Sequence, residues 1–249
     1  MASLIARVAV LPRIRQKLDC IDRIATVPRM LLALAGLKGG TGRTTLAVAL
    51  AAEARARGRR TLLVDLDPRG DAHAWALGAG EFAPTTLALP GAPAGQAERL
   101  RGLAFGHDLT VIDTPADPEV LAVVAEVAEL VLIPCRPSPM DVWAAADTIE
   151  ACLRARSAGN FRMQMAVLPN SLEARSRIGA ALPNDLRAAG LPVLQCPMAR
   201  RVAHQEAMAH GTTASLDDPS SAAARDVIEL LEAVEVMQGR YGVAHRLHH

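Results

Sequence analysis

Largely apolar short runs alternate along the chain with longer segments rich in Ala, Leu and charged residues. Such runs predict strands of a parallel sheet, because helices cover both faces of that kind of sheet. The longer segments contain strong helix formers and predict helices. The predicted strands lie at residues 31–35, 61–64, 85–89, 109–112, 130–134, 163–168 and 193–196. The pattern therefore predicts an α/β protein with a mostly parallel, twisted sheet and helices on both faces.

The apolar pattern starts near Met30 and fades after the last predicted helix, which divides the chain into three parts. Residues 30–238 form a single predicted domain, and residues 239–249 form a C-terminal tail. Residues 1–29 precede the first strand and carry four basic residues before the first acid. They are interpreted as a basic arm that touches DNA or a partner, as a poorly ordered extension, or as the result of a start codon placed too early, with Met30 as the true start.

The overall charge of the chain predicts no general attraction to nucleic acid or anionic lipid. Its 249 residues carry a formal net charge of +1, and aromatic residues make up 2%. Binding to a polyanion would therefore need a local basic patch. The four cysteines show no close pairing or metal spacing, which predicts reduced thiols in a cytoplasmic protein.

The predicted final helix, residues 218–237, carries glutamates on its polar face at Glu229, Glu232 and Glu235. Anionic lipid repels an acidic face. No apolar run reaches the length needed to span a membrane. We therefore expect this helix to pack on the domain and expect no membrane partner.

A glycine-rich segment, GLKGGTGRTT at residues 36–45, joins the first predicted strand to the first helix. Glycines let backbone N–H groups turn towards an anion, and a helix N-terminus adds unpaired donors and a positive dipole end. The order of strand, glycine-rich turn and helix predicts a phosphate-binding loop. In such a loop Thr44 would offer its hydroxyl to Mg²⁺, and Thr45 would bind a phosphate oxygen.

Acidic residues follow two other predicted strands. Asp65 and Asp67 come directly after the second strand, and Asp113 follows the strand at 109–112. In an open α/β sheet the carboxyl ends of the strands form the ligand edge. Asp67 is predicted to polarise the attacking water or to contact Mg²⁺ through water. Asp65 would support the metal site, and Asp113 would be its second carboxylate.

The loop departs from the usual phosphate-binding loop at three positions: Leu37 replaces the first glycine, Lys38 stands before the double glycine, and Arg43 replaces the usual lysine. A lysine before the double glycine resembles the deviant loop of the ParA/MinD family of ATPases. The Asp-x-Asp-Pro, Asp-x-Pro and Pro-Ser-Pro segments follow in that family's order over residues 31–237. The Pro-Ser-Pro segment at 137–139 resembles the small, single-domain ParA branch that includes the ParF group.

The resemblance implies an ATPase with a single-domain phosphate-loop NTPase fold and with ATP and Mg²⁺ as cofactors. It implies that Lys38 reaches the nucleotide of the partner subunit in a homodimer, and that Asn170 contacts the adenine base. The implied catalytic residues are Lys38, Asp67 and Arg43, and the implied metal residues are Thr44, Asp65 and Asp113. The implied nucleotide-binding residues are Gly39, Gly40, Thr41, Gly42, Arg43, Thr44, Thr45 and Asn170.

The resemblance also implies non-specific DNA binding and an adaptor partner, of the ParB or ParG kind or specific to another cargo. Such a protein would be cytoplasmic, associate with the nucleoid, and partition or position a plasmid, a chromosome or another cargo. The candidate DNA contacts are Arg200, Arg201 and Arg225, with solvated or ion-paired arginines as the alternative.

Two alternative functions follow from the same residues. Because Arg43 replaces the loop lysine, the protein is alternatively a nucleotide-binding scaffold with little hydrolysis. The fold also serves metabolic ATP-dependent enzymes such as amidotransferase-like synthetases, but the sequence contains no further polar constellation that would define their substrate pocket.

Overall fold

The computed structural model describes residues 29–246, except for the side chains of Phe82 and of residues 239–246. The predicted N-terminal extension, apart from Arg29, lies outside the described residues. In the described part, one six-stranded sheet in the order β3-β2-β4-β1-β5-β6 has every strand parallel to its neighbours. The strands are β1 (Met30–Leu34), β2 (Thr61–Asp65), β3 (Thr85–Ala88), β4 (Leu109–Asp113), β5 (Leu130–Cys135) and β6 (Gln164–Pro169). This confirms the predicted parallel α/β fold.

Helices connect the strands and cover both faces of the sheet. They are α1 (Arg43–Ala56), α2 (Asp71–Gly78), α3 (Gln96–Ala104), α4 (Pro118–Val127), α5 (Pro139–Ala158), α6 (Arg177–Ala188), α7 (Ala203–Ala209), α8 (Ala214–Asp217) and α9 (Ala222–Arg246). A 3₁₀ turn, Gly80–Phe82, precedes β3. Because all strands are parallel, their C-terminal ends share one edge of the sheet, here called the carboxyl edge. Their N-terminal ends share the opposite, amino edge.

Two hydrophobic cores lie on the two faces of the sheet. One contains α1 and α9, and the other contains apolar side chains of α3, α4, α5 and α6. Ten of the fourteen residues of α1 are buried, most of them alanine, leucine or valine. Small side chains let this helix pack closely between the sheet and α9. Cys135, Cys152 and Cys196 are buried and free, and burial raises the pKa of Cys135 to about 12.

Helix α9 turns an apolar stripe to the core, as predicted. Val227, Leu230, Leu231 and Val234 are each at most 1% exposed. The helix begins at Ala222 rather than at the predicted residue 218, because the Ser221 hydroxyl accepts a hydrogen bond from the Ala224 amide and caps it. It continues to Arg246, beyond the predicted end at residue 237. Throughout residues 29–246, every helix is too short or too polar to cross a membrane.

Two other predictions about local structure are wrong. Residues 193–196 do not form a strand, since only Val193 bridges to Val167 of β6. Pro192 and Pro197, which lack N–H donors, flank this segment and limit its pairing. The proline at position 183 also predicts that helical residues 173–189 are interrupted there, but α6 is one helix, held by the buried Leu182 and Leu186.

Candidate nucleotide-binding site

The glycine-rich segment turns at the carboxyl edge between β1 and α1, as predicted. Gly42 has a φ of 96°, and a Cβ there would lie 2.7 Å from the Nδ2 atom of Asn170. Only glycine fits this position without displacing that side chain. Residues 40–45 line a cavity of about 670 Å³, a volume typical of small-ligand sites.

Arg43 lies inside the loop and is only 7% exposed. Its Nε atom donates to the Thr114 carbonyl at 2.8 Å, and its Nη1 atom donates to the carbonyls of Gly36 (2.8 Å) and Lys38. Burial lowers the pKa of Arg43, and the negative charges of Asp113 and Asp67 partly offset this decrease. The guanidinium therefore ties both the start of the loop and the residue after β4 into one unit.

Asp65 and Asp113 are direct neighbours in the register of β2 and β4. Asp113 is fully buried, and neither of its oxygens has a well-formed hydrogen bond within the described residues. The pKa of Asp113 is raised to about 7, chiefly by burial; the nearby Thr44 hydroxyl opposes this shift, and the charge of Asp65 contributes to it. A buried carboxylate without a partner, close to a hydroxyl, fits a hard cation such as Mg²⁺.

The carboxylate of Asp65 already accepts two backbone hydrogen bonds. Oδ1 accepts from the Asp67 amide at 3.0 Å, and Oδ2 accepts from the His73 amide at 2.9 Å. Asp65 therefore shapes the turn after β2 and the start of α2. No group of three or more His, Cys, Asp or Glu side chains suited to a metal occurs in the described part of the chain. A cation at Asp113 would therefore complete its shell with Thr44, water or ligand oxygens.

Asp67 lies on the turn between β2 and α2. Its Oδ1 atom accepts a hydrogen bond from the Arg69 amide at 2.9 Å. The side chain of Arg69 is 71% exposed and lines the cavity that contains residues 40–45. The structure thus places Asp67 on the same edge of the sheet as the loop, while its predicted role towards water stays a prediction.

Lys38 forms an ion pair with Asp141 in the first turn of α5. The side chain of Asp141 is fully buried, and Arg136 also donates to it, from Nε to Oδ2 at 2.7 Å. Burial alone would raise the pKa of Asp141, but the hydrogen bonds from Arg136 and Lys38 bring it below its ordinary value. Within one chain, the Lys38 side chain is therefore held against the first turn of α5.

Asn170 follows β6 and is buried against the loop. Its Nδ2 atom donates to the Thr41 carbonyl at 2.7 Å. The next residue, Ser171, has a φ of 57°, which is uncommon for a side chain other than glycine. The amide group of Asn170 thus holds the loop through one N–H, and a contact with adenine would use its second N–H or its carbonyl oxygen.

The three candidate DNA contacts do not form a patch of unpaired arginines. Arg200 pairs with Glu173 at 2.6 Å, and Arg201 pairs with Asp226 at 2.6 Å. Both arginines also line the cavity beside the loop. Arg225 donates to the Ser220 carbonyl. The role of these residues in binding DNA stays a prediction.

Sequence analysis missed Arg136 and Asp141 as site residues. Arg136 directly follows β5 at the carboxyl edge and lines the cavity. The rule that polar residues ending parallel strands face the ligand edge, which identified Asp65 and Asp113, also covers Arg136. Asp141 carried no such signal, because its burial depends on how α5 packs.

Comparison with known proteins places this arrangement among nucleotide-binding proteins. Residues 32–214 match the model of the CobQ/CobB/MinD/ParA nucleotide binding domain. The chain is 31% identical over 208 residues to the maintenance of carboxysome distribution protein A of Halothiobacillus neapolitanus, covering 82% of this chain and 95% of that protein. It is 29% identical over 236 residues to the chromosome-partitioning ATPase Soj of Thermus thermophilus, covering 82% and 94%.

Two solved structures show the same fold. The ATP complex of a Cyanothece McdA variant has a TM-score of 0.68 at 19% identity, covering 83% of this chain and 97% of that chain. The septum site-determining protein MinD of Pyrococcus horikoshii, complexed with Mg-ADP, has a TM-score of 0.65 at 20% identity, covering 85% and 98%.

Proposed function

Because the chain belongs to the CobQ/CobB/MinD/ParA nucleotide-binding family, we propose that it is a ParA-type ATPase that positions cargo on DNA. One observation carries the proposal: the loop at residues 36–45 and the buried Asp113 lie together at the carboxyl edge. A phosphate-binding loop beside an unpartnered carboxylate is the arrangement that an Mg²⁺-nucleotide needs.

ATP would bind with its phosphates on residues 39–45 and its base towards Asn170. Mg²⁺ would be held by Thr44 and Asp113, and when bound it neutralises charge on the phosphates. Asp67 would orient the attacking water, and Arg43 would stabilise the charge that develops on the phosphates. The relatives bound to ATP or Mg-ADP support this assignment.

The assembly would be a homodimer in which Lys38 leaves Asp141 and reaches the nucleotide of the partner. It would bind DNA without sequence preference, associate with the nucleoid, and respond to an adaptor protein on the cargo. Two relatives carry the name maintenance of carboxysome distribution protein A, at 31% and 33% identity. They favour a protein compartment as cargo over a plasmid or a chromosome.

Turnover of ATP by the purified full chain, with and without random duplex DNA, tests the proposal. We expect Mg²⁺-dependent phosphate release that DNA and the cargo adaptor increase. Absence of nucleotide binding in calorimetry would contradict an ATPase function. Binding without any turnover would instead support the scaffold alternative, which the engagement of Arg43 with backbone carbonyls favours.

Replacing Thr44 with alanine is expected to remove the dependence of nucleotide affinity on Mg²⁺. The substitution deletes the Thr44 hydroxyl, which lies beside the buried Asp113 carboxylate. Calorimetry with ATP, in the presence of Mg²⁺ or a chelator, measures the effect. Ser157→Ala serves as the control, since its exposed hydroxyl bonds only to its own helix. Equal Mg²⁺ dependence in Thr44→Ala and wild type would refute the metal assignment.

Lys38→Ala is expected to bind ATP nearly as wild type does but to remain monomeric. In a single chain Lys38 faces Asp141 rather than the cavity, so its loss costs the monomer little affinity. Size-exclusion chromatography with a slowly hydrolysed ATP analogue measures the assembly. The control is Arg154→Ala, which removes an ion-paired cation of α5 instead, and this variant should still dimerise. A dimer that persists in Lys38→Ala would contradict the role across the interface.

A further inference from the structure

A second polar pocket lies at the amino edge, opposite the nucleotide cavity. Three arginines and a histidine line it: Arg55, Arg59, Arg60 and His107. Arg55 lies in the last turn of α1, Arg59 and Arg60 precede β2, and His107 precedes β4. We call this set the arginine pocket. It has no part in the proposed hydrolysis, because α1, about 21 Å long, separates it from the loop.

The cations of the arginine pocket are only partly neutralised. Asp108 pairs with Arg60, and Glu235 pairs with Arg59 at 2.7 Å. The Nε atom of Arg59 is nevertheless buried without an acceptor within the described residues. Arg55 is exposed and donates only to the Ala83 carbonyl, with no acidic partner in the described part of the chain. The pocket therefore offers N–H donors and uncompensated positive charge.

Positive charge continues from the arginine pocket along the same edge. Arg29 lies over the ring of Phe105, with 4.3 Å between the guanidinium carbon and the ring centroid, and Phe105 is 74% exposed. Phe105 is next to Gly106 and His107, which line the pocket. The Arg29 guanidinium therefore adds a further positive group beside the arginine pocket.

We propose that the arginine pocket binds a backbone phosphate of duplex DNA. Guanidinium groups match phosphate oxygens with paired donors, and they hold diesters without any base readout. Several guanidinium groups spaced along one edge, those of the arginine pocket and Arg29, suit a polyanion better than an isolated phosphate ion. The proposal rests on the proposed function in DNA positioning and names the surface that serves it. DNA bound there leaves the nucleotide cavity accessible at the opposite edge.

Fluorescence anisotropy with labelled random duplex tests the proposal on the full chain with Mg²⁺ and an ATP analogue, over a salt series. The variant is Arg55→Ala with Arg60→Ala. The control is Arg99→Ala, which alters another exposed arginine that pairs with no acid among the described residues. Loss of two phosphate contacts should reduce the slope of log K against log salt by about 1.8 and weaken binding on the order of tenfold near 0.1 M salt. Arg99→Ala should match wild type.

A second variant guards against misfolding of the first. Arg55→Glu alters one exposed side chain and should weaken DNA binding while ATP-dependent dimerisation persists. If wild type binds DNA and both pocket variants bind equally well, the pocket assignment is overturned and the proposed function stands. If wild type itself binds no DNA, the proposed function in DNA positioning fails as well.

Calorimetry with inorganic phosphate separates the two sources of a phosphate group. Phosphate binding that the double variant loses, with DNA affinity unchanged, would make the arginine pocket a small-anion site and overturn the proposal. Reduced DNA affinity together with weak or undetectable binding of free phosphate supports it.

Discussion

Arg43→Lys is expected to release phosphate from ATP on the order of ten- to a hundredfold faster than wild type. The guanidinium of Arg43 is occupied by three backbone carbonyls, at Gly36, Lys38 and Thr114. A lysine ammonium is compact and mobile, so it can turn towards the phosphates where charge develops in the transition state. A misplacement of about 1 Å costs on the order of a hundredfold in rate, which sets the upper bound of the gain.

Phosphate release at saturating ATP, with DNA present, measures this effect for both proteins. Nucleotide affinity should change much less than turnover, because arginine still binds phosphate well. The free protein should lose stability on the order of 1–3 kcal/mol, since one ammonium cannot bridge all three carbonyls. If Arg43→Lys turns over no faster than wild type, Arg43 is either a neutral replacement or part of a rearranged site, and the interpretation that Arg43 slows hydrolysis fails.

Asp113→Asn is expected to stabilise the metal-free protein at pH 8 by up to about 4 kcal/mol while abolishing Mg²⁺-dependent nucleotide affinity. Burial raises the pKa of Asp113 from 3.8 to about 7 in the folded state. Below pH 4 the carboxyl is protonated in both the folded and the unfolded state, so its burial does not lower the free energy of unfolding. Between pH 4 and 7 the unfolded state loses the proton first, so stability falls as the pH rises. Above pH 7 the buried charge imposes its full cost.

Thermal unfolding without nucleotide, at pH 4.5 and pH 8, measures the difference between wild type and Asp113→Asn. The two proteins should be similar near the lower pH and differ on the order of 10 °C at the higher one. Asp147→Asn removes an exposed carboxylate of α5 and should show no such pH dependence. A stability difference that does not change with pH would show that Asp113 is charged or neutral in both states throughout.

The sequence was sufficient to predict the sheet and the position of the loop. Buried parallel strands appear as apolar runs, and a loop that binds phosphate needs glycines in a fixed relation to a strand and a helix. Asp65 and Asp113 were found because each ends such a run. Their direct pairing in register was not predicted, because neighbouring strands are set by packing and not by order in the chain.

Other features depend on contacts between distant residues and left no local signal. Nothing in the sequence shows that the Arg43 side chain turns towards Thr114, 71 residues away. The sequence left open whether Arg200 and Arg201 are free or ion-paired, and acids 27 and 25 residues away pair with them. The segment at residues 193–196 has an apolar pattern that suits a strand, and its flanking prolines leave it with one bridge.

Helix α1 limits how the protein can change shape. It joins the nucleotide loop to the amino edge, and tightly packed alanine, leucine and valine side chains surround most of its length. A helix so enclosed cannot tilt or slide without opening cavities in the core. Motion between nucleotide states must therefore occur in connecting segments such as residues 66–70 and 136–138, which act as hinges while α1 stays in place.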